Sequence, residues 1–441
     1  MNITRGSYFV GTCLALSLGV MPHVEAAEQP YQVQWTTQIG TTNEDYSLSV
    51  AVDMAGNIYI SGETHGSLGG TNQGGRDAFL TKFDPSGAEL WSTQIGTASA
   101  DASRSVALDA AGNAYISGYT SGSLGGNNAG RSDAFLTKFD PSGNELWSTQ
   151  IGTASNDGSR SVAVDAAGNA YITGSTYGSL GGPLAGSSDA FLTKIDPAGI
   201  ELWTKQIGTA SYDESYSVAV DAAGNAYISG TTEGSLGGTN VGYADVFLTK
   251  FDPSGNELWG TQIGTTTYDE SYSVAVDAAG NAYISGQTYG GLGGNNNGKY
   301  DAFLIKFDPS GNELWSTQIG TAGDDWNTSV VVDAAGNAYI SGHTDGSLGG
   351  NNAGFNDAFL TKFDPWGNEL WSTQVGTASG DWSTSATADG RATPTSAESP
   401  KATSAAERGG SDAFLIKFAI PEPASIAVLA IGFPMLLLRR R

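Results

Sequence analysis

The chain has 441 residues and carries 45 Asp and Glu against 20 Lys and Arg, a formal net charge of −25. That imbalance repels phosphate backbones, so no nucleic acid is expected as a partner. A single cysteine, Cys13, excludes a disulfide framework.

Residues 1–26 read as a secretory signal peptide: Arg5, an apolar stretch from Tyr8 to Met21, then Val24-Glu-Ala26 with small residues at the cleavage point. The functional protein then starts near Ala27 and loses Cys13 with the signal. A lipoprotein signal fits poorly, because Val10-Gly-Thr-Cys13 comes early and the apolar stretch runs on past it.

Tryptophan recurs at 35, 91, 147, 203, 259, 315 and 371, always 56 residues apart. A fixed period means a repeat architecture. In the second repeat four strand-like runs stand out: A, Ser105 to Asp109; B, Ala114 to Tyr119; C, Ala134 to Asp140; and D, Glu145 to Gly152. They are rich in Val, Ile, Tyr, Phe and Trp, and the breaks are Gly, Asn, Asp, Ser and Pro. Ala110-Ala-Gly-Asn113 and Pro141-Ser-Gly-Asn144 fit tight hairpins, with Pro presetting φ and Gly taking the left-handed position. No internal segment offers a helical period, so the body is all-β.

Four antiparallel strands in such a period make a propeller blade. Seven repeats predict a seven-bladed β-propeller of four-stranded antiparallel blades over residues 31–418. The first Trp lies in a D strand, Tyr31 to Gly40, with no A, B or C before it; the last strand, Asp412 to Phe418, is a C with no D after it. The N-terminal strand is therefore expected to join the last blade and close the ring, hiding a sheet edge. The Trp of D, the Phe of C and the Tyr of B are expected to pack between blades.

The run Gly112-Asn-Ala-Tyr-Ile-Ser-Gly118, followed by Asp133-Ala-Phe-Leu-Thr-Lys-Phe-Asp-Pro-Ser-Gly-Asn144, resembles the β-propeller repeat family known as SBBP. The resemblance covers residues 31–418. It implies exported bacterial propellers, mostly without an assigned function.

Only Asp recurs in register with a chemical option. Asp45, Asp101, Asp157, Asp213, Asp269, Asp325 and Asp381 each follow their Trp by ten residues. In a closed ring they would circle one mouth of the channel, where Ca²⁺ could relieve their repulsion; alternatively each caps its own turn. A second series, Asp53, Asp109, Asp165, Asp221, Asp277 and Asp333, opens the A to B hairpin and reads as turn chemistry. His65 and His343 do not recur, and no catalytic triad order, zinc motif or Walker loop is present. Gly122-Ser-Leu-Gly-Gly-Asn-Asn-Ala-Gly130 lies between strands, so no helix N-terminus is there to hold a phosphate.

Between repeats the hairpins hardly change, whereas the D to A and B to C loops do. The variable positions include Tyr46, Tyr212, Tyr268, Trp326 and Trp382 before strand A, and Tyr177 and Tyr289 after strand B. In an antiparallel blade both loop sets emerge on one face. Its aromatic and acidic residues suit a sugar-binding surface, and they are also what drift leaves where nothing is required.

In the seventh repeat the octet Ala335-Gly-Asn-Ala-Tyr-Ile-Ser-Gly342 should return at 391–398, where the chain reads Arg391-Ala-Thr-Pro-Thr-Ser-Ala-Glu398. Arg-Ala-Thr-Pro-Thr-Ser-Ala is what codons for that octet give when read one base late. Asp412 follows Trp371 by 41 residues, against 42 from Trp91 to Asp133, so paired indels with a net loss of three bases restore the frame. The affected stretch is about 386–409. Its A and B strands should be weak or disordered, with Pro394 where a central strand needs an N–H.

The end of the chain, residues 420–441, reads Pro421-Glu422-Pro423, then apolar Ala424 to Leu438, then Arg439, Arg440 and Arg441. It resembles the PEP-CTERM sorting tail, which implies an exosortase-type processing enzyme and a bacterium that makes exopolysaccharide. Fifteen apolar residues interrupted by Pro434 fall short of the ~20 of a comfortable span, which suits a transient membrane anchor.

Together these features describe an exported, non-enzymatic propeller at the cell surface, or outside it, that binds exopolysaccharide or an envelope protein. No cofactor other than Ca²⁺ is suggested. The competing classes are a polysaccharide lyase or hydrolase using the mouth carboxylates, and a structural matrix protein without a ligand. The frameshift has a direct test in the coding DNA: the codons for 391–397 should be those of the octet displaced by one base, and unrelated codons there refute it.

Overall fold

The computed structural model describes residues 32–389, 413–419 and 426–432. Within them the repeats fold as antiparallel meanders whose strands pair in chain order. In the second, A is Asp101–Leu108, B is Ala114–Thr120, C is Asp133–Phe139 and D is Glu145–Ile151. The hairpins follow the turn residues. Gly112 and Gly143 hold φ of 80° and 85°, a region that a Cβ disfavours, and Asp109 Oδ1 accepts from the N–H groups of Ala111 and Asn113. The second Asp series is thus turn chemistry, as its position suggested.

Strands B and C are almost wholly buried because both faces of each blade are covered by its neighbours. D is the outer edge, with Glu145 and Leu146 exposed. The A strands are innermost and pack on one another about the axis. One apolar cluster joins Tyr115, Leu136 and Ile151 of the second blade to Val162, Ile172 and Phe191 of the third, with Trp147 against it. Each large apolar side chain fully buried this way stabilises the fold by roughly 1.5–3 kcal/mol before entropy is counted. The aromatic packing expected between blades is present.

Polar groups complete the same seam. Trp91 Nε1 and Lys82 Nζ both donate to the carbonyl of Pro141 in the next blade, at 3.2 and 3.1 Å. Lys82 also sits 4.8 Å over the Tyr59 ring and 3.9 Å from Asp53. A lysine buried in an apolar seam is tolerated because carbonyl, carboxylate and ring all face its charge.

Strand A begins four residues earlier than its apolar pattern indicates. In each inner strand the pairing with B slips by one residue, at Leu48, Arg104, Arg160, Tyr216, Tyr272, Thr328 and Thr384. A bulge of this kind breaks the alternation on which a strand is recognised, so the segment reads as a loop. It also requires a glycine on strand B. A Cβ on Gly230 would lie 1.9 Å from the carbonyl oxygen of Glu214, just before the bulged Tyr216.

The seven equivalent blades expected over residues 31–418 are corrected to six, from Asp45 to Val375. The remaining four-stranded sheet is a composite: Trp382–Asp389 innermost, then Ile426–Gly432, then Ala413–Ala419, and Gln32–Ile39 outermost. Nor does the N-terminal strand close the ring. It pairs with Ala413–Ala419 at the outer edge, while the inner strand of the first blade, Asp45–Val52, is met by Trp382–Asp389 and Ile426–Gly432. The seventh repeat has no strand B sequence, and the apolar run Ile426-Ala-Val-Leu-Ala-Ile-Gly432 pairs with both neighbours of that position. Trp382–Asp389 forms a strand with the same one-residue slip as the other inner strands, at Thr384. The signal peptide, residues 391–398, Pro421 to Pro423 and Arg439 to Arg441 lie outside the described residues. Among those described, no helix is long and apolar enough to cross a membrane.

Gly230→Ala should lower stability by about 1–3 kcal/mol, because the added methyl meets backbone that cannot yield. Gly75→Ala, where nothing lies within 4 Å, should stay within about 0.5 kcal/mol of the parent. Urea unfolding of the two variants checks both; equal losses would show that the bulge does not depend on that glycine.

Candidate binding site at the axial mouth

Each inner strand opens beside a buried aspartate. Asp101 Oδ2 accepts from Thr97 N–H and Oγ1–H at 2.6 and 2.8 Å, and its Oδ1 accepts from the Thr120 hydroxyl. The same three donors surround Asp45, Asp157, Asp213, Asp269 and Asp325. Asp381 keeps the Thr377 donors.

Desolvation raises the pKa of Asp101, Asp269 and Asp325, and that of Asp381 to about 6. These carboxylates are not brought together as a ring that could share Ca²⁺. Each is turned into its own loop, and among the described residues no three acidic or histidine side chains could hold a metal ion.

What breaks the symmetry is the bulged residue of each inner strand. Round the axis it is Leu48, Arg104, Arg160, Tyr216, Tyr272, Thr328 and Thr384. The threonines bond backbone of the next sheet, Thr328 Oγ1 to Ser383 O at 2.9 Å and Thr384 Oγ1 to Ser47 O at 3.0 Å. The arginines and tyrosines exceed that structural need. Beside them stand the cross-strand pairs Tyr46 with Glu63, Ala102 with Tyr119, Glu270 with Gln287 and Trp326 with His343.

Two chemically distinct sectors result. On one side Tyr289, Tyr300, Trp326, His343 and Trp382 form an unbroken chain of ring contacts, with centroids 5.1–6.3 Å apart. Tyr243 stacks on Tyr268 at 5.1 Å and 11°. Tyr216 and Tyr272 meet edge to face and donate to Glu214 and Glu270. On the other side are Arg76, Arg104 and Arg160 with Tyr119 and Tyr177.

Of the aromatic residues proposed from sequence, Tyr289, Trp326 and Trp382 are brought together and Tyr268 joins Tyr243. Tyr177 lies in the arginine sector, Tyr212 is half-exposed, and Tyr46 sits opposite Glu63. Sequence reasoning missed Arg104, Arg160, Tyr119, Tyr216, Tyr272, Tyr300 and His343. The available signal was the residue three after each ring Asp, which varies within an otherwise constant frame.

His343 is buried between two tryptophans, and desolvation lowers its pKa from 6.5 to about 4, with Asp324 opposing the shift. Between pH 6.5 and 4 the unfolded chain takes up a proton that the folded chain refuses. This histidine's contribution is therefore complete above pH 6.5 and lost as pH falls toward 4. His343→Gln should remove that part of the slope when urea midpoints are compared from pH 7 to 4; an unchanged slope would contradict the buried, neutral imidazole.

The beta-propeller repeat model of the SBBP family matches residues 34–69, 90–125, 146–181, 202–237, 258–293 and 314–349. Each match runs from a D strand through A and B of the following blade. The chain is 23% identical over 467 aligned residues to an uncharacterized WD repeat-containing protein of Acanthamoeba polyphaga mimivirus, covering 83% of this chain and 31% of that protein. It is 27% identical over 172 residues to the regulatory protein FlaEY of Caulobacter vibrioides, covering 35% and 18%. The chain thus spans less than a third of the curated relatives it matches. Among solved structures, a puromycin hydrolase mutant superposes with a TM-score of 0.42 at 12% identity, over 89% of this chain and 53% of that one. The six matched segments each supply the two inner strands of one of the six blades: the chain is a propeller protein built of six SBBP beta-propeller repeats.

Proposed function

We propose that this chain is a non-catalytic binding or scaffold module that engages a polysaccharide or an envelope protein through the axial mouth. The observation that carries the reading is the continuous chain of rings from Tyr289 through Tyr300, Trp326 and His343 to Trp382. Partly exposed tyrosine and tryptophan offer large, stiff, amphipathic area, the surface on which sugar rings stack at low entropic cost. The likeness to WD repeat proteins supports a binding role. Residues 1–26 and the PEP-CTERM-like tail support export, processing by an exosortase-type enzyme and display at the surface of an exopolysaccharide-producing cell, a processing that would take Ile426–Gly432 out of the composite sheet.

The test is binding of the full chain to exopolysaccharide from the producing cells, with Trp326→Ala as the diagnostic variant. Saturable binding that weakens about tenfold in the variant, a loss of ~1.4 kcal/mol, supports the reading. Binding indifferent to Trp326, or bond cleavage in the polymer, refutes it.

A further inference from the structure

The arginine sector has a charge that the rest of the molecule does not lead one to expect. The chain is strongly acidic, and the recurring lysines at 82, 138, 194, 250 and 306 are consumed in the seams between blades. Arg76 is held by Glu63 at 2.8 Å and by the Tyr119 hydroxyl. Lys299 pairs with Asp324 at 3.0 Å.

Arg104 and Arg160 are different. They occupy the bulges of adjacent inner strands and line one cavity of about 230 Å³, with Tyr119, Tyr177, Asn156 and Ser175 in its walls.

Arg104 makes no hydrogen bond from its guanidinium among the described residues. Glu63 Oε2 stands 3.9 Å away, too far to accept one, and the Tyr119 ring lies 5.4 Å beneath. Ring and distant carboxylate orient the guanidinium and leave its five N–H donors to whatever enters. Arg160 spends one nitrogen on Glu214 at 3.1 Å and packs over Tyr216 at 4.8 Å, with its side chain 42% exposed. The carboxylate in the lining, Asp157, is engaged by Thr153 and Thr176 and does not compete for the arginines.

We propose that this cavity binds a carboxylate carried on a sugar ring, an acidic monosaccharide unit of the uronate type, with Arg104 and Arg160 taking the carboxylate and Tyr177 meeting the ring. A volume below the ~300 Å³ at which drug-sized pockets begin suits one ring rather than an oligomer. Guanidinium pairs carboxylate through charge-assisted, often two-pronged hydrogen bonds, whereas a neutral sugar leaves the donors unpaired. The idea rests on the binding-module reading for the sugar, and on the arginine pair alone for the acid.

Calorimetric titration of the full chain with D-glucuronate, D-glucose and acetate tests it. Arg104→Thr and Arg160→Thr are the diagnostic variants, since Thr328 and Thr384 already occupy the equivalent bulge. Leu48→Thr, at an equivalent bulge outside the cavity lining, is the control, and the unfolding midpoint is followed for each. Glucuronate should bind saturably, glucose should not, and acetate should be weaker. Each arginine variant should lose at least about tenfold while Leu48→Thr does not.

Equal binding of glucuronate and glucose overturns the proposal, as does glucuronate affinity unchanged in Arg104→Thr. Acetate matching glucuronate overturns its sugar part. Should Arg104→Thr fold poorly, Arg104→Lys keeps the charge and loses the fork, and an undiminished affinity there counts equally against it. Polymer binding lost in Trp326→Ala but untouched in both arginine variants sinks this inference and leaves the earlier one standing. Arginine-dependent glucuronate binding without polymer binding does the reverse.

Discussion

Everything in this molecule hangs on the seam between blades, and the seam hangs on one carbonyl. The proline of each C to D hairpin presents its oxygen to the Trp of the preceding sheet, and in all but one seam to its Lys as well, as Pro141 does to Trp91 and Lys82. Proline suits this place because its ring fixes the turn and its missing N–H costs nothing there. The Tyr hydroxyl finds a second fixed acceptor, the carbonyl of the hairpin glycine one blade on, as Tyr115 finds Gly168 at 3.2 Å. Turns are thus the polar half of an otherwise apolar interface, which is why the two hairpins hardly vary.

Most of this was legible from the residues. A tryptophan every 56 residues fixes the period, and Ala-Gly-Asn and Pro-Ser-Gly fix the turns. What the residues concealed is the bulge. At Arg104 or Tyr216 one extra residue shifts the inward and outward alternation, so the first third of the inner strand carries no period-two signal. The ring aspartates and the residues beside them therefore read as loop. The composite sheet was hidden for another reason: its second strand lies beyond strand C in the sequence, where the apolar run Ile426–Gly432 has the composition of a membrane segment.

The same bulge separates what the fold needs from what it merely permits. Serine at 49, 105, 161, 217 and 273 accepts a backbone N–H from the next blade, and the glycine of strand B makes room for the displaced carbonyl. Those positions repeat without change. The residue between them is released from pairing and faces the axis, and there the chain has placed arginine, tyrosine and threonine in neighbouring pairs. A symmetric scaffold has acquired an asymmetric mouth by varying the one residue per blade that pairing does not use.

The composite sheet also imposes an order on assembly. Each of the six repeat blades is built from a continuous stretch of chain and pairs only neighbours in sequence, so its contacts are local. The remaining sheet draws one strand from the first forty residues and two from the last thirty. It cannot be completed until Ile426–Gly432 has been synthesised, and pairing Gln32–Ile39 with Ala413–Ala419 closes a far longer loop than any pairing within a blade. During synthesis, then, the six blades form ahead of Ile426–Gly432, and the circumference stays open until that strand pairs.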